Sequence, residues 1–113
     1  MRQNSFFDVE AKPGGHDAAR LVLYALGEFQ ERGLVLAGRD LPLDRLRGAF
    51  RRAAAAFGAP EPDDEAAATT LDALGAKVRR VPSFVAKHPF RVVVPEPLAE
   101  KSRRFFLETK KRD

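Results

Sequence analysis

Three glycines, Gly33, Gly58 and Gly75, each close a stretch whose apolar residues recur at helical spacing. This punctuation restricts the fold more than any other feature. A glycine just past a helix adopts the left-handed C′ conformation at little cost, so it marks where a helix stops. Upstream of Gly33, the residues Leu21, Val22, Ala25, Leu26 and Phe29 repeat in threes and fours. Asp17 is placed to cap the start of that helix, and Arg32 puts a cation in its last turn. Upstream of Gly58, a second helix begins after Leu41-Pro42, with proline in its first turn. Leu43, Leu46, Phe50, Ala53, Ala54 and Phe57 face inward, and Asp44, Arg45, Arg47, Arg51 and Arg52 face outward. Pro60-Glu61-Pro62 makes a stiff connection, after which Asp63-Asp64-Glu65 complement the dipole of a third helix. Ala67, Leu71 and Leu74 form its inner face.

Beyond Gly75 the pattern changes from helical to extended. Lys77-Val78-Arg79-Arg80-Val81 and Phe90-Arg91-Val92-Val93-Val94 are β-rich, and the stretch Pro82 to Pro89 joins them. They predict an antiparallel hairpin with a long tip. Leu34-Val35-Leu36-Ala37 is too short for a helix and is predicted to be a small buried strand. Pro95-Glu96-Pro97 closes the hairpin, and a last helix from Leu98 packs Phe105 and Phe106 before a fraying tail. At the other end, Phe6, Phe7 and Val9 form a short strand or lie on the core, and Pro13-Gly14-Gly15 then breaks regular structure. With 113 residues and a 44% hydrophobic fraction, there is enough apolar material for one core and not two. The expectation is an N-terminal arm over 1–16, a single α+β domain over 17–109 and a basic tail over 110–113. The domain is mostly helical, with one antiparallel β-hairpin and a short third strand.

The residue inventory removes whole classes of chemistry. Without cysteine there are no disulfides, thiolate metal sites or cysteine nucleophiles, which also fits a reducing compartment. The start of the chain lacks the apolar core of a signal peptide, and no apolar run approaches a membrane span. The expected location is the cytoplasm, and the Ala, Arg, Gly and Pro bias suits a GC-rich bacterial genome. His16-Asp17 stands without the further ligands that a metal-dependent phosphohydrolase needs, and Asp63, Asp64 and Glu65 occupy successive positions that do not converge on a cation. Gly14-Gly15 lacks the lysine of a phosphate loop, and Ser5, Ser83 and Ser102 lack a histidine-based constellation. The expected function is therefore non-enzymatic, with no cofactor.

Charge is unevenly placed. Residues 1–75 hold nine Lys/Arg and twelve Asp/Glu, whereas residues 76–113 hold eleven and four, so a net −3 adjoins a net +7. A basic third of this kind suits DNA or another polyanion. Its candidate contacts are Arg79, Arg80, Lys87 and Arg91 on the hairpin and Lys101, Arg103 and Arg104 on the last helix. A solvated charged face is the alternative. The hairpin tip offers a different surface: Phe84, Val85 and His88 lie between Pro82 and Pro89, a stiffened mixture of apolar and cationic groups suited to a protein partner. Burial of the tip aromatics in the core is the alternative there. Tyr24, Val22 and Phe29 spread over more than one narrow stripe, which leaves room for a homodimer contact on the first helix.

The order helix, short strand, helix, helix, hairpin, helix resembles the winged helix-turn-helix superfamily, its MarR-like members in particular. The local likeness lies in Leu71-Asp72-Ala73-Leu74-Gly75-Ala76-Lys77-Val78-Arg79-Arg80, followed by Arg91-Val92-Val93-Val94. The resemblance implies a recognition helix ending in a Leu-Gly turn and a basic hairpin acting as a wing. It implies a nucleic-acid-associated or regulatory factor, and the alternative is a protein–protein adaptor on the same fold. The sequence departs from the pattern at the recognition helix. Its first residues are Asp63, Asp64 and Glu65, and no Arg, Lys, Asn or Gln lies between Glu61 and Gly75 to read base edges.

Overall fold

Helix α1 (Gly15–Glu31) runs through the middle of the domain in the computed structural model, which describes residues 15–82 and 90–112. Leu21, Val22, Leu23, Ala25, Leu26 and Phe29 are all buried, a wider apolar surface than a peripheral helix carries. The reason is that α2 (Arg47–Phe57), α3 (Asp64–Leu74) and α4 (Glu96–Arg112) all pack on it. The helix begins two residues before Asp17, so that carboxylate lies in the first turn and does not cap it. Val22 and Phe29, which left room for a second subunit in the sequence, are buried in this chain's own core, and Tyr24 packs its ring on Phe57 and Phe106.

The α1–α4 pairing is the most extensive in the molecule, and Gly27 permits it. An ideal Cβ at Gly27 would stand 2.4 Å from both the Ser102 carbonyl oxygen and the Phe106 Cβ. Two polar groups fit into this close approach. The buried Ser102 hydroxyl donates to the Leu98 carbonyl at 2.8 Å, and Gln30 Nε2 donates across the interface to the Ala99 carbonyl at 2.8 Å. The last helix starts at Glu96, not Leu98, because proline at position 97 is tolerated in a first turn. It continues through Lys110 and Lys111, residues expected to fray as a tail.

Leu34–Ala37 is not a strand. Val35 is 61% exposed and only Leu36 is buried, while Ala37 makes a single parallel bridge to Val94. The chain turns at Gly38, with φ +75°, and the strand β1 forms at Asp40–Pro42 instead. An apolar quartet has no alternation to set a register, so pairing with a neighbour decides where the ladder falls. Pro42 accordingly ends β1, and a 3-10 turn (Leu43–Leu46) precedes α2.

Strands β2 (Lys77–Arg80) and β3 (Phe90–Val93) form the expected hairpin, and β1 pairs with the other edge of β3, giving the antiparallel order β1-β3-β2. In this register Leu41, Val92 and Val78 share the inner face, with Leu41 and Val92 buried. Lys77, Arg79 and Arg91 share the outer face with Asp40, Pro42 and Val93. The domain is a small α+β fold, mostly helical, with a three-stranded antiparallel sheet beside the helices. Phe50 is fully buried, and Phe90, the first residue of β3, is buried in the same core.

Candidate functional site

The outer face of the sheet brings two arginines to one carboxylate. Arg79 Nη2 donates to Asp40 Oδ2 at 2.8 Å, and Arg91 Nε donates to Asp40 Oδ1 at 3.2 Å. Arg91 also donates to the Asp40 backbone carbonyl at 3.1 Å. The hydrogen bond from Arg79, with that from Arg91, holds the Asp40 carboxyl below the usual carboxylate range. Lys77 lies on the same face, one pair along the register. Asp40 carries no motif in the sequence, and its place is set by β1 pairing with β3 across a gap of fifty residues.

The other candidate cations are also partnered within the chain. Arg80 pairs with Glu65 at the start of α3, and its guanidinium lies 4.6 Å from the Phe90 ring centroid. Arg103 Nε pairs with Glu31 Oε2 at 2.7 Å, and Arg104 Nη2 approaches Glu100 Oε2 at 3.5 Å. The Glu31 hydrogen bond raises the Arg103 pKa further. Only Lys101, of the six candidates that fall among the described residues, has no ion-pair partner there. The seventh, Lys87, and the tip residues Phe84, Val85 and His88 lie outside the described residues, as do Phe6, Phe7 and Val9 of the arm. Surface pairs of this kind are individually weak, so a phosphate could compete for the guanidiniums. The basic third nevertheless presents a more nearly neutral surface than its sequence charge implies.

Helix α3 shows the same pattern. Asp63 caps it by accepting from the Ala66 N–H at 2.8 Å, and Asp64 pairs with Arg47 of α2. Asp64 and Glu65, two of the three acidic residues that oppose duplex binding, thus pair with the chain's own Arg47 and Arg80. The exposed positions of α3 are Asp64, Glu65, Ala66, Thr69, Asp72 and Ala73, small or acidic side chains without a cation.

Beside that face lies an open groove of about 1040 Å³, unrecognised in the sequence because three separate segments build it. The first turns of α1 form one wall, with Leu21 at its base, and Ala66, Thr69 and Thr70 of α3 form the other. Phe57, Ala59, Pro60 and Pro62 close it from below. Its charged lining residues are Asp17, Arg20, Asp63 and Glu65. Arg20 lies against two rings, 5.7 Å from the centroid of Phe57 and 5.9 Å from that of Phe105. Tyr24 extends the aromatic surface by packing on Phe57 at 5.3 Å. This combination of an apolar floor with a few charges at the edge suits a peptide-like ligand.

Among the described residues no three His, Asp or Glu side chains converge on a possible cation, and no helix is long and apolar enough to cross a membrane. No protein-family model matches the chain, and comparison with curated proteins and with solved structures gives no match.

Proposed function

We propose that this chain is a non-enzymatic protein-interaction domain on a winged-helix-like scaffold, and that the α1–α3 groove takes an apolar, aromatic-bearing segment of a partner protein. The element order and the central position of β3 support the scaffold. The groove carries the functional part. It lies against the exposed face of α3, the helix that would read bases in a duplex-binding relative, and that face offers alanine, threonine and carboxylates where base readout needs Arg, Lys, Asn or Gln. Asp17 and Glu65 at the groove edge favour a ligand segment that also carries a cation.

The test is selection of displayed random peptides against the whole chain, followed by binding to a Thr69→Arg variant. Thr69 is exposed on α3, so the substitution fills the groove without entering the core. Enriched peptides should combine aromatic and basic residues and lose affinity for the variant. Peptides that bind both proteins equally would refute the groove as the site.

A second reading has its own support. The outer sheet face carries Lys77, Arg79 and Arg91 against the single carboxylate of Asp40, a local excess of cations that would contact phosphates without reading sequence. Fluorescence anisotropy with generic duplex DNA at two salt concentrations separates the two. Tight binding that collapses as salt rises would favour the sheet face, and Asp40→Asn should then strengthen it. The protein-interaction reading expects weak or no binding even at low salt.

A further inference from the structure

We propose that the free edge of β2 takes an extended acidic segment of a partner protein, which adds to the sheet as a fourth strand beside Lys77–Arg80. This goes beyond the groove reading and does not depend on it. Backbone geometry is the first support. In the order β1-β3-β2 only one side of β2 is paired, and alternate residues of an edge strand point their N–H and C=O groups away from the ladder. Among the described residues, no backbone hydrogen bond formed outside the ladders involves Lys77–Arg80. Lys77, Arg79 and Arg80 are exposed along this edge, and Val78 is half-buried. The opposite edge is a poorer template, because β1 is three residues long and ends in Pro42, which has no N–H to donate.

Charge decides the occupant. Lys77, Arg79 and Arg80 make β2 cationic at every position but Val78. A second copy pairing edge to edge would set the same cations against these, and like charges opposite one another destabilise a sheet. A segment carrying carboxylates is attracted instead. Lys77 and Arg79 stand on the outer face, two positions apart, and Val78 between them points inward and packs against the core. The added strand should therefore read acidic, apolar, acidic, with its carboxylates beside Lys77 and Arg79. Lys77 is in no ion pair among the described residues, and Arg79 shares the single carboxylate of Asp40 with Arg91, so the face stays net positive. A phosphate backbone would answer the same cations but not the strand edge or Val78.

The probe is a fluorescein-labelled synthetic peptide of alternating glutamate and valine, titrated into the whole chain and followed by anisotropy. It should bind, and a peptide of the same composition with its glutamates and valines in two blocks should bind more weakly, because only alternation matches the two faces of a strand. The alternating peptide N-methylated at every residue keeps its charge and side chains but has no N–H to donate, and it should not bind. Lys77→Glu should weaken binding of the alternating peptide by about tenfold. Lys101→Glu, the same change of charge on an exposed position of α4, should leave it unchanged.

Equal binding of the alternating, block and N-methylated peptides would overturn the proposal, by reducing the attraction to net charge. No binding of the alternating peptide would overturn it too, and salt-sensitive binding of duplex DNA that Lys77→Glu weakens would then assign these cations to phosphates. Self-association of the chain that the peptide disperses would give the edge to a second copy. Thr69→Arg fills the groove and should not weaken this peptide. If it does, the peptide lies in the groove, and the edge proposal fails while the groove reading stands.

Discussion

Substituting Gly27 by alanine tests the close approach of α1 and α4. The added Cβ would lie 2.4 Å from the Ser102 carbonyl oxygen and the Phe106 Cβ, where ordinary contact begins at 3.4 Å. Neither obstacle can rotate away, because one is backbone and the other is the first side-chain carbon. The helices must therefore part by about 1 Å, at an overpacking cost of about 1–3 kcal/mol and toward the upper end of that range. Alanine is the better helix former by about 0.8–1.0 kcal/mol, which offsets part of the loss. The net expectation is destabilisation by about 1–2 kcal/mol, which for a domain of this size lowers Tm by roughly 4–10 °C. Gly48→Ala is the matched control. There the Cβ meets only the mobile end of the Arg52 side chain at 3.3 Å, so the helix-propensity gain should dominate and Tm should rise by a few degrees. Thermal unfolding followed by circular dichroism reads both. An unchanged or raised Tm for Gly27→Ala would refute the close approach.

Three further outcomes are expected. Partial burial pushes the Glu28 carboxyl up, but hydrogen bonds from Arg52 and Arg32 hold it below its ordinary value of 4.5, so its contribution to stability is present above that pH and is lost as pH falls through the lowered value. Urea titrations should accordingly show a flatter acid limb for Glu28→Gln than for the native chain. Asp63→Ala removes the cap on the Ala66 N–H and should cost about 1 kcal/mol by the same measurement, whereas Asp63→Asn should cost much less. Phe50→Ala empties a fully buried site and should cost about 3–5 kcal/mol, enough to leave little folded protein if the domain is marginal.

What could be read from the residues alone was local. The ends of α2 and α3 follow from Gly58 and Gly75, both at positive φ, where glycine avoids the steric cost of a Cβ. The start of α3 follows from Asp63, whose side chain can reach its own helix's free N–H groups. The hairpin follows from two β-rich runs bounded by proline. Each of these depends on neighbours within a few positions, so the chain states it directly. The location of β1 did not follow, because the ladder partner that selects Asp40–Pro42 over Leu34–Ala37 is β3, fifty residues on.

The candidate site divides the same way. Composition by itself showed a basic C-terminal third and an acid-headed third helix, and together with the order of the elements it pointed to a small α+β domain. Only the tertiary structure decided how much of that charge is presented to a partner. Asp40, Glu65 and Glu31 come from three segments remote in sequence to meet Arg79 and Arg91, Arg80, and Arg103, whereas Glu100 meets Arg104 within α4. The groove is likewise a property of the fold, since α1, the turn after α2 and α3 each contribute a wall that none has alone. Charge is additive along a chain and can be counted from its letters. The potential at a surface, and the shape of a groove, depend on distances that exist only once the chain has folded.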